Sequence, residues 1–383
     1  MKKLLVILMG LLLVGVVGCK REPVLHLYEE ANVDFDLPVI DLSLEVYWDY
    51  ELSYDVRYDW QAEWYYGWDM IDGEIFGELG YSKPTVFNLR RYYTGQVPYA
   101  PHTTVLNDVI YGTNFQGKYN WGYWDMLVWN DINTLDGVQS LNFDETTSLD
   151  SVTAYTNQSM QPSRYHAPRY TRSFYAPEPL FTVYTQGIEI DPSLKGFEYD
   201  SVRNVYVKRL NMLLEPVTYI YLTQIVLHHN NGRVAAVDGL SNLSGMARSV
   251  VLNTGKAGPD AVSVNYNTRL KNNCQKGDEL VDIIGGRLMT FGICNQSGNR
   301  ISRASEVQDV NHHYMDCTMQ FYNGMDSTFV FDVTDQVRKL YKGGVITVEL
   351  DMDTVPIPRR SGGSGFDAVV QETEDGGTWE FDM

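Results

Sequence analysis

The sequence predicts an all-β protein built as two β-sandwich domains in tandem behind an export signal. Three observations carry that prediction. Segments rich in β-branched and aromatic residues recur at about 8–12-residue spacing with turn residues between them, which is the pattern of sandwiches and barrels. Only one segment carries the start and stop signals of a helix. A short uncharged apolar run at the N-terminus is set off from everything that follows.

That run begins with Met1-Lys2-Lys3 and continues without charge through residues 4–17. It is short for a membrane span, which needs about 20 apolar residues, and fits a secretory core of about 7–15. It ends in Val16-Val17-Gly18-Cys19, followed by Lys20, Arg21 and Glu22. Apolar, small, Gly and Cys in that order resemble the bacterial lipoprotein signal, whose thiol takes a diacylglycerol and whose chain is cut before the cysteine. The cut falls between Gly18 and Cys19. Residues 1–18 are then a signal peptide and 19–37 an extended tether. Each buried methylene contributes about 0.8 kcal/mol, so several acyl chains on Cys19 make a lasting membrane anchor.

Composition is that of a folded protein, 44% hydrophobic and 21% charged, and it is rich in Tyr and Trp. The formal charge is −19; loss of Lys2 and Lys3 with the signal leaves 28 basic against 49 acidic residues. That balance argues against nucleic acid and against adhesion to anionic lipid by charge alone. Cys274, Cys294 and Cys317 remain once Cys19 is acylated. An oxidising compartment could pair Cys274 with Cys294, but three thiols leave one over, and without a Cys-x-x-Cys motif they read as small buried hydrophobes.

In the first half, residues 43–49 alternate and read as a strand. Residues 50–70 are dense in acids and aromatics, among them Trp60, Trp64 and Trp68, with a periodicity that fits strand or helix. Strands are expected at 71–79, 85–93, 121–129, 138–143 and 151–155. Four prolines between 160 and 180 cannot donate to a β-ladder, and they place the domain boundary there: residues 38–175 form the first sandwich and 176–383 the second. In the second half, strands are expected at 204–214 and 217–228, then at 233–240 after the hairpin signal Asn230-Asn231-Gly232. Residues 243–250 lead from loop to strand. Further strands are expected at 280–294, 314–322, 327–333 and 345–352. The one helix is expected over 336–341, stopped by Gly343.

The layout as a whole is similar to a known family. A signal ending in Gly-Cys, an early strand with Trp48-Asp49, a strand at 122–130, the segment 243–250 in a long second domain, and a Gly-rich approach (residues 362–365) to a final hairpin together resemble the fimbrium-associated lipoproteins of Bacteroidales. These are the FimB-like anchors of type V fimbriae and related lipoproteins. The resemblance implies two transthyretin-like (immunoglobulin-like) sandwiches and a non-enzymatic structural role without cofactor. It also implies outer-membrane attachment through Cys19, display at the cell surface, and contact with other fimbrial subunits along strand edges. Asp-[Ser/Thr]-small or apolar is similar to the O-glycosylation pattern of such bacteria, which marks Ser151, Ser201, Ser327 and Thr354.

The other chemistries have weaker support. The acids sit in no setting that singles out a pair for glycoside hydrolysis. His228-His229 and His312-His313 are neighbours, which on a strand point to opposite faces, so neither pair makes a two-ligand metal site. A weak site would need His228 to face Asp238 across the turn. No Gly-x-Ser-x-Gly and no phosphate loop is present. The competing reading is a surface glycan-binding lipoprotein of a polysaccharide-uptake system. There Trp60, Trp64 and Trp68 would form an exposed platform for sugar rings; packing of the same residues on the sandwich is the alternative.

Overall fold

The computed structural model describes residues 38–46, 59–81, 83–132, 140–160, 172–296 and 310–359, together with the backbone of 371–372 and 378–382. Residues 1–37, which include the expected signal, Cys19 and the expected tether, lie outside these. The chain is all-β and sandwich-like, as expected.

The first sandwich faces two sheets against each other. One contains β1 (Val39–Val46), β4 (Asn114–Lys118), β10 (Glu198–Asp200) and β11 (Val205–Pro216). The other contains β2 (Val86–Gly95), β3 (Thr104–Tyr111), β5 (Gly122–Asn130) and β9 (Phe181–Ile190), in the order β3-β2-β5-β9. β1 lies parallel to β11, with Val39 opposite Val207, and antiparallel to β4. β11 turns the corner, pairing Glu215 and Pro216 with the start of β9. Ile40 and Leu42 from one sheet meet Phe87, Leu89, Trp124, Met126 and Val128 from the other in the core.

The sheet thus runs past residue 175, where the proline-rich stretch had placed the end of the first sandwich. β9 and β11 belong to it because they hydrogen-bond to β5 and β1. Prolines mark places where a ladder cannot form; they do not mark which sheet the chain joins next.

The junction is a small sheet of β6 (Leu141–Asp144), β7 (Thr153–Thr156), β15 (Ser249–Val251) and β16 (Lys256–Ala257). β7 pairs with β15, so backbone hydrogen bonds stitch the two halves of the chain together. Leu127 and Trp129 of β5 pack here with Val250, Phe291 and Cys294. β5 is therefore buried on both faces, which is why it reads as a nearly continuous apolar run.

The second sandwich repeats the corner device. β17 (Ala261–Lys276) pairs first with β14 (Leu240–Ala247) and then with β18 (Glu279–Thr290), changing sheets midway. β12 (Tyr219–His228) and β21 (Gly344–Asp351) complete the β18 sheet. β8 (Ser173–Tyr175), β13 (Val234–Val237), β19 (Tyr314–Phe321), β20 (Asp326–Asp332), β22 (Gln371–Glu372) and β23 (Thr378–Asp382) join the β14 sheet. Tyr219, Tyr221, Ile225 and Leu227 of β12 face the inner core, with Phe329 and Phe331 opposite. The alternate residues Ile220, Leu222 and Val226 face outward.

Something has to cover that outer face, and it is the aromatic segment. Residues 59–81 contain the short helices α1 (Trp60–Glu63) and α2 (Met70–Phe76), and their aromatic side chains lie on β12, β18 and β21. Residues 71–79, expected as a strand, therefore begin inside α2. Asp69 caps its start, accepting from the Asp72 amide at 3.0 Å, while the Asp72 carboxylate accepts from the Asp69 amide at 2.8 Å. This reciprocal pair favours a helix where composition alone favours β. The helix expected near 336–341 is α3 (Thr334–Lys339).

Candidate functional site

The last described strands form one edge of the second sandwich. β20 alternates Thr328, Phe329, Val330 and Phe331, and its two phenylalanines enter the core. One side of β20 bonds to β19. The other is taken by the last strand of the chain, with Thr328 opposite Asp382 and Phe331 opposite Trp379. β22 then pairs outside β23. The chain end thus supplies the edge of the 11-stranded sheet. The ladder is antiparallel and backbone-made, so any extended segment of suitable register forms the same hydrogen bonds.

Of the two readings of the tryptophans, an exposed platform or packing on the sandwich, the structure has them packed. Trp64 is 8% exposed and Tyr66 3%, while Trp60 and Trp68 are half-buried against the same cluster. Their spacing of four does not stack them on one helix face, because α1 ends at Glu63 and Trp64 is extended. Burial over β12 and β18 satisfies their apolar rings, and a flat sugar-stacking surface is not formed.

This packed segment is fastened by a polar network. The Gln224 side chain, fully buried in β12, accepts from the Tyr65 amide at 3.0 Å and donates to the Thr347 hydroxyl at 2.9 Å. Asp72, also fully buried, accepts from the Tyr66 hydroxyl at 2.8 Å, is paired with Arg269 at 2.8 Å, and forms a close ion pair with Lys271. Burial, and then the neighbouring Asp72, push the Tyr66 phenol well above its ordinary range. Arg287 donates to the carbonyls of Leu79 and Gly80 at 2.9 and 3.0 Å. A network satisfied this fully fixes one arrangement.

The candidate glycosylation positions fall in different settings. Ser201 and Thr354 are exposed, while Ser151 and Ser327 are half-buried. Cys294 and Cys317 are buried, Cys274 is half-buried, and no disulfide joins them.

The histidine pairs behave as strand neighbours. His313 is fully buried against the Ser244 carbonyl, and His312 is exposed. His228 lies between Glu279 and Glu349, at 3.2 and 3.1 Å, rather than facing Asp238. His229, Asp351 and Asp353 gather at the same rim, all exposed, with Arg233 holding Asp353 at 3.0 Å.

A further polar cluster, centred on His102, gave no sign in the sequence. His102 is held between Asp125 at 3.0 Å and Asp150 at 2.7 Å and is stacked on the Tyr92 ring. No motif links residues so far apart along the chain.

No family model matches the chain, and no curated protein matches it. Solved structures do resemble it. A candidate adhesin from Bacteroides ovatus is 14% identical, with 84% of this chain and 95% of that one covered at a TM-score of 0.47. The fimbrial anchor protein Mfa2 from Porphyromonas gingivalis is 9% identical, with coverage of 82% and 90% and a TM-score of 0.37. The tip fimbrial protein Mfa3 of the same organism, with a C-terminal truncation, is 9% identical over 76% and 81%, at a TM-score of 0.30. The fold assignment here rests on the strand registers themselves.

Proposed function

We propose that this chain is a lipid-anchored structural protein of the outer membrane, an anchor or accessory subunit of a fimbrium. Cys19 carries the acyl chains after cleavage behind Gly18, and the polar tether lifts the sandwiches off the bilayer. The protein faces the cell surface, performs no catalysis, and binds other subunits along strand edges.

The observation that supports this most directly is the placement of the last strand. β23 is held on β20 by an antiparallel ladder, with only the two-residue β22 beyond it at the sheet edge. A strand from another subunit could take its place or extend it. The glycan-platform alternative loses its surface, because Trp64 is buried and Trp60 and Trp68 pack beside it.

A pull-down from detergent-solubilised outer membranes tests the proposal, with wild type, Cys19→Ala and a chain lacking residues 377–383. The wild type is expected to bring down a ladder of small β-rich subunits. Cys19→Ala is expected to leave the membrane fraction, and the truncation to stay in the membrane but lose the ladder. Recovery of a large transporter barrel or retained polysaccharide in place of subunits rejects the fimbrial reading.

A further inference from the structure

The outer face of the β4-β1-β11 sheet carries a second, independent feature. β1 sends Ile40 and Leu42 into the core, which leaves Asp41 and Ser43 on the opposite face. Register places Gln116 of β4 and Arg209 of β11 beside Asp41, and Asn114 and Asn211 beside Ser43. The result is two rows of three polar side chains across three strands. At ordinary sheet spacings the grid measures about 10 Å across the strands and about 7 Å along them. A cavity of about 450 Å³ stands on it, within the range of small-molecule sites.

The two rows differ in what they have left to offer. In the first, Asp41 is committed: Arg203 reaches both its oxygens at 3.4 and 3.1 Å, and Gln116 donates to it at 2.8 Å. Arg203 is itself fixed by the β10–β11 turn, where its Nε meets Asp200 at 2.6 Å and its amide donates to the same carboxylate. Burial opposes charge at Asp41, but the hydrogen bonds from Arg203 and Gln116 prevail and hold its carboxyl below the ordinary range. This row is a rigid wall. In the second row, the side chains of Asn114, Ser43 and Asn211 make no hydrogen bond within the described residues. Two amides and a hydroxyl offer donors and acceptors together on the floor of a concave surface.

We propose that this cavity binds a neutral, hydroxyl-rich ligand, a saccharide. Each sugar hydroxyl donates and accepts, which matches a floor of amides and a hydroxyl better than it matches any apolar or purely anionic ligand. The local charges nearly cancel. Arg203 is held by Asp41 and Asp200, and Arg209 lies beside Glu198 in an exposed pair, so each of these cations already faces an acid. Two residues beyond Asn211, Leu213 is 43% exposed on the same face, an apolar group beside the polar floor. The prebuilt wall lowers the ordering cost of binding.

The inference goes beyond the fimbrial reading and does not depend on it, since the strand edge at β20 belongs to the other sandwich. The test uses the full chain in detergent and a panel of neutral sugars: galactose, glucose, mannose, N-acetylglucosamine and lactose. Galacturonic acid and inorganic phosphate are run alongside. Binding is read by saturation-transfer NMR and calorimetry. Wild type is expected to bind at least one neutral sugar. Asn211→Ala and the double variant Asn114→Ala/Asn211→Ala are expected to weaken it about tenfold or more, the order of one to two lost hydrogen bonds. Both substitutions remove exposed side chains without partners, so their melting curves should match the wild type. The proposal is overturned if no neutral sugar binds the wild type, if both variants bind as well as it does, or if galacturonate or phosphate binds more tightly than every neutral sugar.

Discussion

The ring of Tyr66 lies directly over Gly285, in space that a Cβ on residue 285 would occupy. The first half of the chain thus rests on a glycine of the second half's β18. Gly285→Ala is expected to push the aromatic segment off the sheet and to destabilise the fold by about 1–3 kcal/mol, the ordinary range for overpacking. Tyr66→Ala loses its own packing, but adding Gly285→Ala to it should cost little more, because the clash is gone. Urea unfolding of the four proteins gives the coupling; simple additivity contradicts the contact.

Asp72 is the buried anion of the same contact, facing Arg269 and Lys271. Asp72→Ala leaves Lys271, whose side chain is 12% exposed, without its closest acid. The expected loss is about 3 kcal/mol. Protease cleavage between residues 59 and 81 should accelerate, as seen by mass spectrometry of the fragments. An unchanged cleavage pattern would show that the segment is held without this anion.

A pH dependence follows from Asp316. Burial pushes its carboxyl up to about 7, against the pull of hydrogen bonds from Asn242. An unfolded Asp titrates near about 3.9. Between those two values the folded chain holds a proton that the unfolded chain has released. Stability therefore falls as pH rises through that window, and the loss is complete above about 7. The slope from one such group approaches about 1.4 kcal/mol per pH unit. Asp316→Asn should remove it, so wild type minus variant, measured by urea midpoints at pH 5 and pH 7, should decline. Parallel profiles would falsify the assignment.

The thiols make a counting experiment. Burial pushes Cys317 up to about 12 and raises Cys274 as well. In the native mature protein a thiol-reactive dye should label Cys274 slowly and leave Cys294 and Cys317 untouched. In denaturant three thiols should react if Cys19 is acylated, and four if it is not.

Much of the fold was legible in the sequence. β2, β5, β12, β20 and β21 follow from dense β-branched and aromatic runs, and the Asn230-Asn231-Gly232 turn has the positive φ angles its residues favour. The longest strand, β17, was missed. Its second half, from Thr268 on, reads Thr-Arg-Leu-Lys-Asn-Asn-Cys-Gln-Lys, because a strand that leaves one sheet for another carries a polar, half-exposed stretch. β3 escapes because it is an edge strand, mostly exposed and without a clear apolar alternation. β9 was hidden by the prolines before it. The Trp-rich segment stands out by composition but its partner surface does not, since the near-continuous apolar run of β12 shows that both its faces are buried and not what covers the outer one. The polar floor at Asp41 and Ser43 emerges only when β4 and β11 are laid beside β1.

The parallel pairing of β1 with β11 has a consequence in time. A chain synthesised from its N-terminus delivers Val39 long before Val207, its ladder partner. β7 must likewise wait for β15, and Trp64 for β12 and β18. β2 can pair early with β3 and β5, but β1, β5 and β7 each keep one edge open until a later strand arrives. Those edges stay unpaired until the later half arrives, and contacts so distant in sequence form slowly. A fragment ending near residue 175 lacks β9 and β11 and is then an unfinished sheet with exposed edges.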